Sequence, residues 1–381
     1  MAFTVNQVYQ MVNDAAKEAL GQQAVTVKDT GSLVSLGEQI QVTENVETFY
    51  KTLVNRIGRT VVAVRAFEIS ERSVMRNEME WGVIYQKISF KPRDAVENPS
   101  WKTETQANPY DIEPQTTVVQ KLFSVMGTYS YEDSIPDYQL FTAFTTPAAM
   151  AAFISGIYTN MYNYLKIAEA NLANLAVNTY MAGAMSGTNA AQKRNLLKEY
   201  NDKFTKTLTV EQALTDASFL KFASKTINDT IKQFTSPSAI FNAEGIVRQT
   251  TKDKLVVEVL SQFATATTSY MESDTYHNEL VKLPRYEEVN YWQASGTGFS
   301  FEDVSTIDIQ NAKIADGAEV KKTGIVAFVH DYDAVASIIY RRRSNSIYNP
   351  RAERYNVMEK ADKGYAVDLS ENGVVFYMAA E

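Results

Sequence analysis

TPAAMAAFISGIYTNMYNYLKIAEANLANLAVNTYMAGAM, residues 146–185, carries the clearest periodic pattern in the chain. Thr146 suits a helix cap, since its hydroxyl accepts from a first-turn amide, and Pro147 has the fixed φ and missing donor that a first helical position tolerates. Behind them Met150, Phe153, Ile154, Ile157, Met161, Leu165, Ala168, Leu172, Leu175 and Ala176 recur at threes and fours. Gly183 or Gly187 is the expected stop. About 37 residues of helix reach roughly 55 Å at 1.5 Å per residue, further than a small domain is wide. The stripe is neither leucine-rich nor flanked by paired charges, so a supercoil is the weaker reading. One long helix crossing a flat or elongated molecule fits better.

Upstream, residues 4–20 place Val5, Val8, Tyr9, Val12, Ala16 and Ala19 on one helical stripe closed by Gly21. Residues 22–44 read as polar and irregular. A second helix is expected at ENVETFYKTLVNRIG (44–58), followed by a buried strand at TVVAVRAF (60–67). Strand-like VIYQKISF (83–90) and TTVVQKLFSV (116–125) then flank an aperiodic middle, residues 91–114. Five of the nine prolines fall at Pro92, Pro99, Pro109, Pro114 and Pro136, which excludes helix or sheet interior there. A disordered linker is the plain reading. Trp101, Tyr110 and Ile112 oppose it, because disordered segments are poor in such residues. We expect a long β-hairpin arm whose tip is buried on another molecule, rather than a loop folded back on its own domain.

Downstream, residues 190–330 mix helix (210–234) with buried strands at LVVEVL (255–260), EEVNYW (287–292) and GIVAFV (324–329). That half is expected to be α+β with its own core. Residues 335–378 read mostly as strand with a turn at 362–364, and are expected to pair with the strand at 60–67. At 381 residues the chain is one large domain or two.

The charge balance, 37 basic against 45 acidic residues, opposes a general nucleic-acid binder but not a protein that lies beside nucleic acid. There is no cysteine, so neither disulfides nor sulfur-ligated metals are available. Tyrosines outnumber phenylalanines, 22 to 18, a bias that suits interfaces wet at one edge. No signal peptide and no apolar run of roughly 18 residues is visible, so a soluble protein made inside the cell and apart from membranes is expected.

Chemistry is sparse. His277 lies in a polar loop, and His330 lies at a strand end with Asp331 and Asp333 nearby, without the HExxH or HxH spacing that holds a metal. No GxxxxGK[ST] phosphate loop, GxGxxG turn or GxSxG elbow is present, and SGTGFS (295–300) has only its two glycines in common with a phosphate loop. No catalytic, cofactor or metal site is expected. An enzyme with an unrecognised pair of carboxylates remains a rival, as does a tail or sheath component.

The sharpest local feature is RRRSNSIYNPRAERYN (341–356), where Arg341, Arg342, Arg343, Arg351 and Arg354 crowd a chain of net charge −8. They could line a solvated strand, meet DNA, or pair with acids of a neighbouring subunit. Arginine's planar fork suits the last, and Glu68, Glu71, Glu78, Glu80, Glu97, Glu104 and Glu113 supply candidate acids. Trp101, Tyr110, Ile112 and the five arginines are thus the candidate subunit-interface residues.

LVNRIGRTVVAVRAF (53–67) and YNPRAERYNVMEKADKGYAVDL (348–369) resemble the corresponding segments in major capsid proteins of small podoviruses of the phi29 kind. The element order as a whole is similar to the Hong Kong 97-like fold of tailed-phage capsid proteins. The resemblance implies an N-terminal arm with helices (1–58), a peripheral-domain strand and E-loop hairpin (59–136), a spine helix (146–187), an axial domain (190–330) and returning peripheral-domain strands (331–381). It implies identical subunits in pentamers and hexamers, a portal protein, a virion location after assembly in the bacterial cytoplasm, and packaged double-stranded DNA nearby but not tightly bound. Neither an immunoglobulin-like extra domain nor a long helical scaffold extension is seen, which implies a separate scaffolding protein. Cross-links between Lys87, Lys91 or Lys102 and Asn345 or Asn349 are known in the wider fold, but no catalytic acid for them stands out here.

Overall fold

A computed structural model of the chain describes residues 5–21, 24–42, 48–49, 52, 72–76, 85–91, 117–123, 127–136, 147–274, 286–293, 303–310 and 319–380. The expected helix at 44–58, the strand at 60–67, the arm tip and His277 lie wholly or almost wholly outside these residues.

Two helices come first, α1 (Val5–Leu20) and α2 (Thr30–Val42). The α1 stripe buries Val8, Val12, Ala15 and Ala16. α2 replaces the irregular segment expected there: Asp29 accepts from the Ser32 amide at 2.8 Å, and Leu33, Leu36 and Ile40 fall on one buried face. Asn13 ties the link between the helices, accepting from the Val27 amide at 2.6 Å and donating to its carbonyl at 2.9 Å.

Next come β1 (Met75–Arg76), β2 (Tyr85–Phe90), β3 (Val118–Phe123) and β4 (Gly127–Pro136). β2 and β3 form an antiparallel pair from Tyr85↔Phe123 to Phe90↔Val118, the base of the expected hairpin. The long helix is α3 (Pro147–Ser186), 40 residues beginning at the predicted proline. Met161, Leu165, Leu172 and Ala176 of its stripe are buried, whereas Leu175 is 39% exposed. Towards its end Ala173, Val177, Tyr180, Met181 and Ala184 are also buried, because there α3 passes beneath two sheets.

The first sheet is built from β5 (Lys193–Asn195), β6 (Leu255–Leu260), β7 (Glu287–Val289), β10 (Ile325–Asp331) and β13 (Gly373–Tyr377). Its order is β5-β13-β10-β6-β7. One face packs on α4 (Leu196–Phe204), α5 (Ala217–Phe234) and α6 (Ser261–Asp274), the other on α3. Burial on both faces explains the apolar run IVAFV and the run LVVEVL, broken only by Glu258, which pairs with Arg72. The short strands β8 (Ile307–Ile309) and β9 (Val320–Lys322) pair beside it.

The second sheet has the order β1-β11-β12-β4, with β11 (Val335–Asn349) and β12 (Arg354–Val367) as one long antiparallel hairpin. The turn expected at 362–364 is not there. Those residues continue β12, with Gly364 opposite Ile338, and the chain reverses after Asn349, where Glu353 takes a left-handed φ of 46°. β13 lies in the first sheet between β10 and β5, so the sheets do not part at residue 331 as the sequence suggested. Its first residue must be small: a Cβ on Gly373 would run into the Tyr180 ring, whose hydroxyl donates to the Glu371 carbonyl at 2.9 Å.

Candidate functional site

The hairpin base has two unlike faces. Strand alternation puts Lys87 and Ser89 on one face with Val119, Lys121 and Phe123, and register sets Lys87 directly opposite Lys121. Two like charges so placed repel. Asp368, only 3% exposed, resolves this with its Oδ2 at 2.9 Å from Lys87 Nζ and its Oδ1 at 2.9 Å from Lys121 Nζ. Lys87 also meets Glu371 at 2.6 Å, Lys121 meets Glu244, and Arg248 reaches Glu371 at 3.3 Å. The Ser370 amide and hydroxyl complete the Asp368 shell at 3.0 and 2.7 Å. Burial alone would raise the Asp368 carboxyl, but Lys87 and the bonds from Lys121 and Ser370 outweigh it and hold it well below the usual carboxylate range. Burial pushes the Glu371 carboxyl up, against Lys87 and Arg248.

The opposite face is apolar and uncovered. Ile88 (54%), Phe90 (63%), Val118 (52%) and Leu122 (60%) all stand exposed on it. The chain leading into the hairpin is fastened as firmly as its base. Arg72 pairs with fully buried Glu258 at 2.7 Å, the Ser73 amide donates to Glu287 at 3.0 Å, and Arg76 stacks 3.9 Å over the Tyr332 ring.

The five arginines divide. Arg342 points to α3 and pairs with Glu169, while Arg343 bonds both oxygens of Asp362 at 2.6 and 2.7 Å. These two tie β11 to acids of its own chain. Beside them Glu359 is buried, which pushes its carboxyl up against the opposing pull of Arg342 and Lys363. Arg341, Arg351 and Arg354 carry no ion pair among the described residues, and Arg341, Arg351 and Arg354 are exposed. Trp101, Tyr110 and Ile112 lie outside the described residues. On the same outward face of the second sheet is a groove of about 250 Å³ lined by Glu132, Asp133, Ser134, Ile347, Asn356 and Met358.

His330 is fully buried, stacked 4.5 Å from Phe328, with Nδ1 2.8 Å from the Asp331 carbonyl. Burial lowers its pKa, against the opposing pull of Glu258 and Asp331. Asp331 accepts from Thr250 at 2.7 Å, and Asp333 pairs with Lys254 at 2.8 Å. Among the described residues no group of three or more His, Cys, Asp or Glu could hold a metal, and no helix is long and apolar enough to cross a membrane.

The sequence profile of the Phi29-like phage major capsid proteins matches residues 12–377. The chain belongs to that family. It is similar to the major capsid protein of Bacillus phage GA-1, 28% identical over 135 residues, which span 35% of this chain and 28% of that relative. Its fold is similar to that in the capsid structure of Staphylococcus phage Andhra, with a TM-score of 0.55, 10% identity, and 82% of this chain and 86% of that one covered. The α+β, Hong Kong 97-like architecture expected from the element order is thus the one observed.

Proposed function

We propose that this chain is the major shell subunit of a phage head, assembling with identical copies in pentamers and hexamers into a closed icosahedral shell around double-stranded DNA. The four-stranded sheet with α3 serves as the peripheral domain and the five-stranded sheet with α4, α5 and α6 as the axial domain. The supporting observation is the hairpin: its lysine face is clamped to its own body while Ile88, Phe90, Val118 and Leu122 stay uncovered. Covering side chains of this size that are half exposed contributes roughly 1 kcal/mol each. That is weak per contact and large when summed over a shell of many copies. Trp101, Tyr110 and Ile112 at the arm tip extend the same contact, and Arg341, Arg351 and Arg354 supply charged contacts around it. A net charge of −8 suits a wall that DNA slides past rather than one that grips it.

In this reading assembly takes place in the bacterial cytoplasm on a separate scaffolding protein, with a portal protein built into the shell. Electron microscopy of the chain expressed with and without its scaffold tests it. Uniform closed shells are expected only with the scaffold; tubes, fibres or dispersed monomers in both preparations would refute the reading. Deletion of residues 94–114 is expected to leave a folded, soluble chain, by circular dichroism, that forms no shells.

A further inference from the structure

We propose that the groove on the outward face of β4, β11 and β12 is the receptor for the Arg351 turn of a second copy of this chain. The proposal rests on the shell reading above and names one of its contacts. Register places the Glu132 acceptor and the floor of the groove on one side of the sheet: Met358 pairs with Glu132, Asn356 with Ser134, and Ile347 with Asn356. Ile347 is 58% exposed. The groove therefore offers an apolar floor beside Glu132, which has no partner among the described residues. That combination fits an arginine, whose aliphatic stem lies on apolar surface while its planar fork meets a carboxylate.

The same chain carries the complementary part. Arg351 sits in the turn beyond Asn349, exposed and without an ion pair among the described residues. The turn is preformed. The Asn349 side chain accepts from the Arg351 amide at 3.1 Å and the Ala352 amide at 3.3 Å, and the Ala352 amide also donates to the Asn349 carbonyl at 3.2 Å. A preformed turn loses little freedom on docking.

One copy cannot join its own two parts. Arg354 lies opposite Pro136, and Glu132 is four residues further along β4, roughly 13 Å away at about 3.3 Å per residue. The turn leads away from that point, so the pair closes only between molecules. Nucleic acid is the poorer occupant, since Glu132 and Asp133 repel phosphate and Glu353 interrupts the arginines of the turn.

A charge swap tests the pairing. Glu132→Arg and Arg351→Glu are each expected to reduce shell yield about tenfold at 0.1 M salt, with unchanged circular dichroism and melting of the soluble chain. Combining them should restore yield to within about threefold of the unaltered chain. Normal shells from either single variant, or failed rescue by the pair, overturns the proposal. The absence of cysteine allows a second readout: Ser134→Cys with Ala352→Cys should give disulfide-linked multimers in oxidised shells. Within one chain these positions are too far apart to bridge, since Ser134 pairs with Asn356, four residues from Ala352. Shells that assemble and show no such cross-link also overturn the proposal. If the unaltered chain forms no closed particle even with its scaffold, the shell reading itself falls, a result distinct from shells that ignore the swap.

Discussion

Replacing Asp368 with asparagine should loosen the hairpin without unfolding the body. The carboxylate holds one lysine on each oxygen, both at 2.9 Å, and those lysines face each other across β2 and β3. Removing one partner of a buried ion pair costs about 3–5 kcal/mol. Here Lys87 keeps Glu371 and Lys121 keeps Glu244, and the two lysine side chains are 14% and 25% exposed, so solvent screens part of the loss. Roughly 2 kcal/mol remains, about 30-fold in the opening equilibrium. Amide hydrogen exchange on the soluble chain reads this directly. The amides of β2 and β3 should exchange about 30-fold faster, while those of β6, β10 and β13 stay unchanged. Unaltered hairpin protection would refute the clamp; loss of protection throughout would mean that Asp368 supports the whole fold instead.

The pH dependence of the clamp follows from the same groups. Asp368 has its folded pKa depressed, so its contribution is present above the usual 3.8 and is lost as pH falls through the folded value. Lys121 is the mirror case. Burial lowers its pKa, but the bonds to Asp368 and Glu244 outweigh this and raise it, so its contribution is present below the usual 10.5 and lost as pH rises through the folded value. Protection of β2 and β3 should therefore fall at low pH as Asp368 takes up a proton, and again at high pH as Lys121 loses one.

Two further outcomes are expected. Gly373→Ala should lower the stability of the soluble chain by about 1–3 kcal/mol in urea unfolding, because its methyl group meets Tyr180 against the sheet. Arg342→Glu should lower the melting temperature of the unassembled chain, by the loss of about 3–5 kcal/mol, since it breaks the pair with Glu169 of α3 and leaves two acids together.

The long helix was legible because Pro147 and a threes-and-fours stripe agree, and agreement between local signals is what specifies an element. α2 was not, since its apolar face is three residues set among polar ones and two glycines, Gly31 and Gly37, and its burial is supplied by α1. Asp362, Lys363 and Gly364 have turn chemistry, yet pairing with β11 on one side and β4 on the other overrides it up to Lys363. Asn349 and Pro350 take the reversal instead.

The arginines read as one group in the sequence, but strand alternation separates them: Arg342 faces α3 while Arg343 faces Asp362 on the other side. The lysine clamp left no local trace. Lys87, Lys121 and Asp368 are brought together only by the register of β2 with β3 and by a turn between the two sheets. Long-range pairing of that kind is carried by the fold and not by any window of sequence.

The central claim is that the outer hairpin face is left bare for a sister copy. An Ile88→Ser, Phe90→Ser double variant, expressed with the scaffold and imaged by electron microscopy, tests it most directly. The account predicts a soluble chain with unchanged melting and no closed shells, because both side chains are already in water in the single molecule. Closed shells at undiminished yield would contradict it.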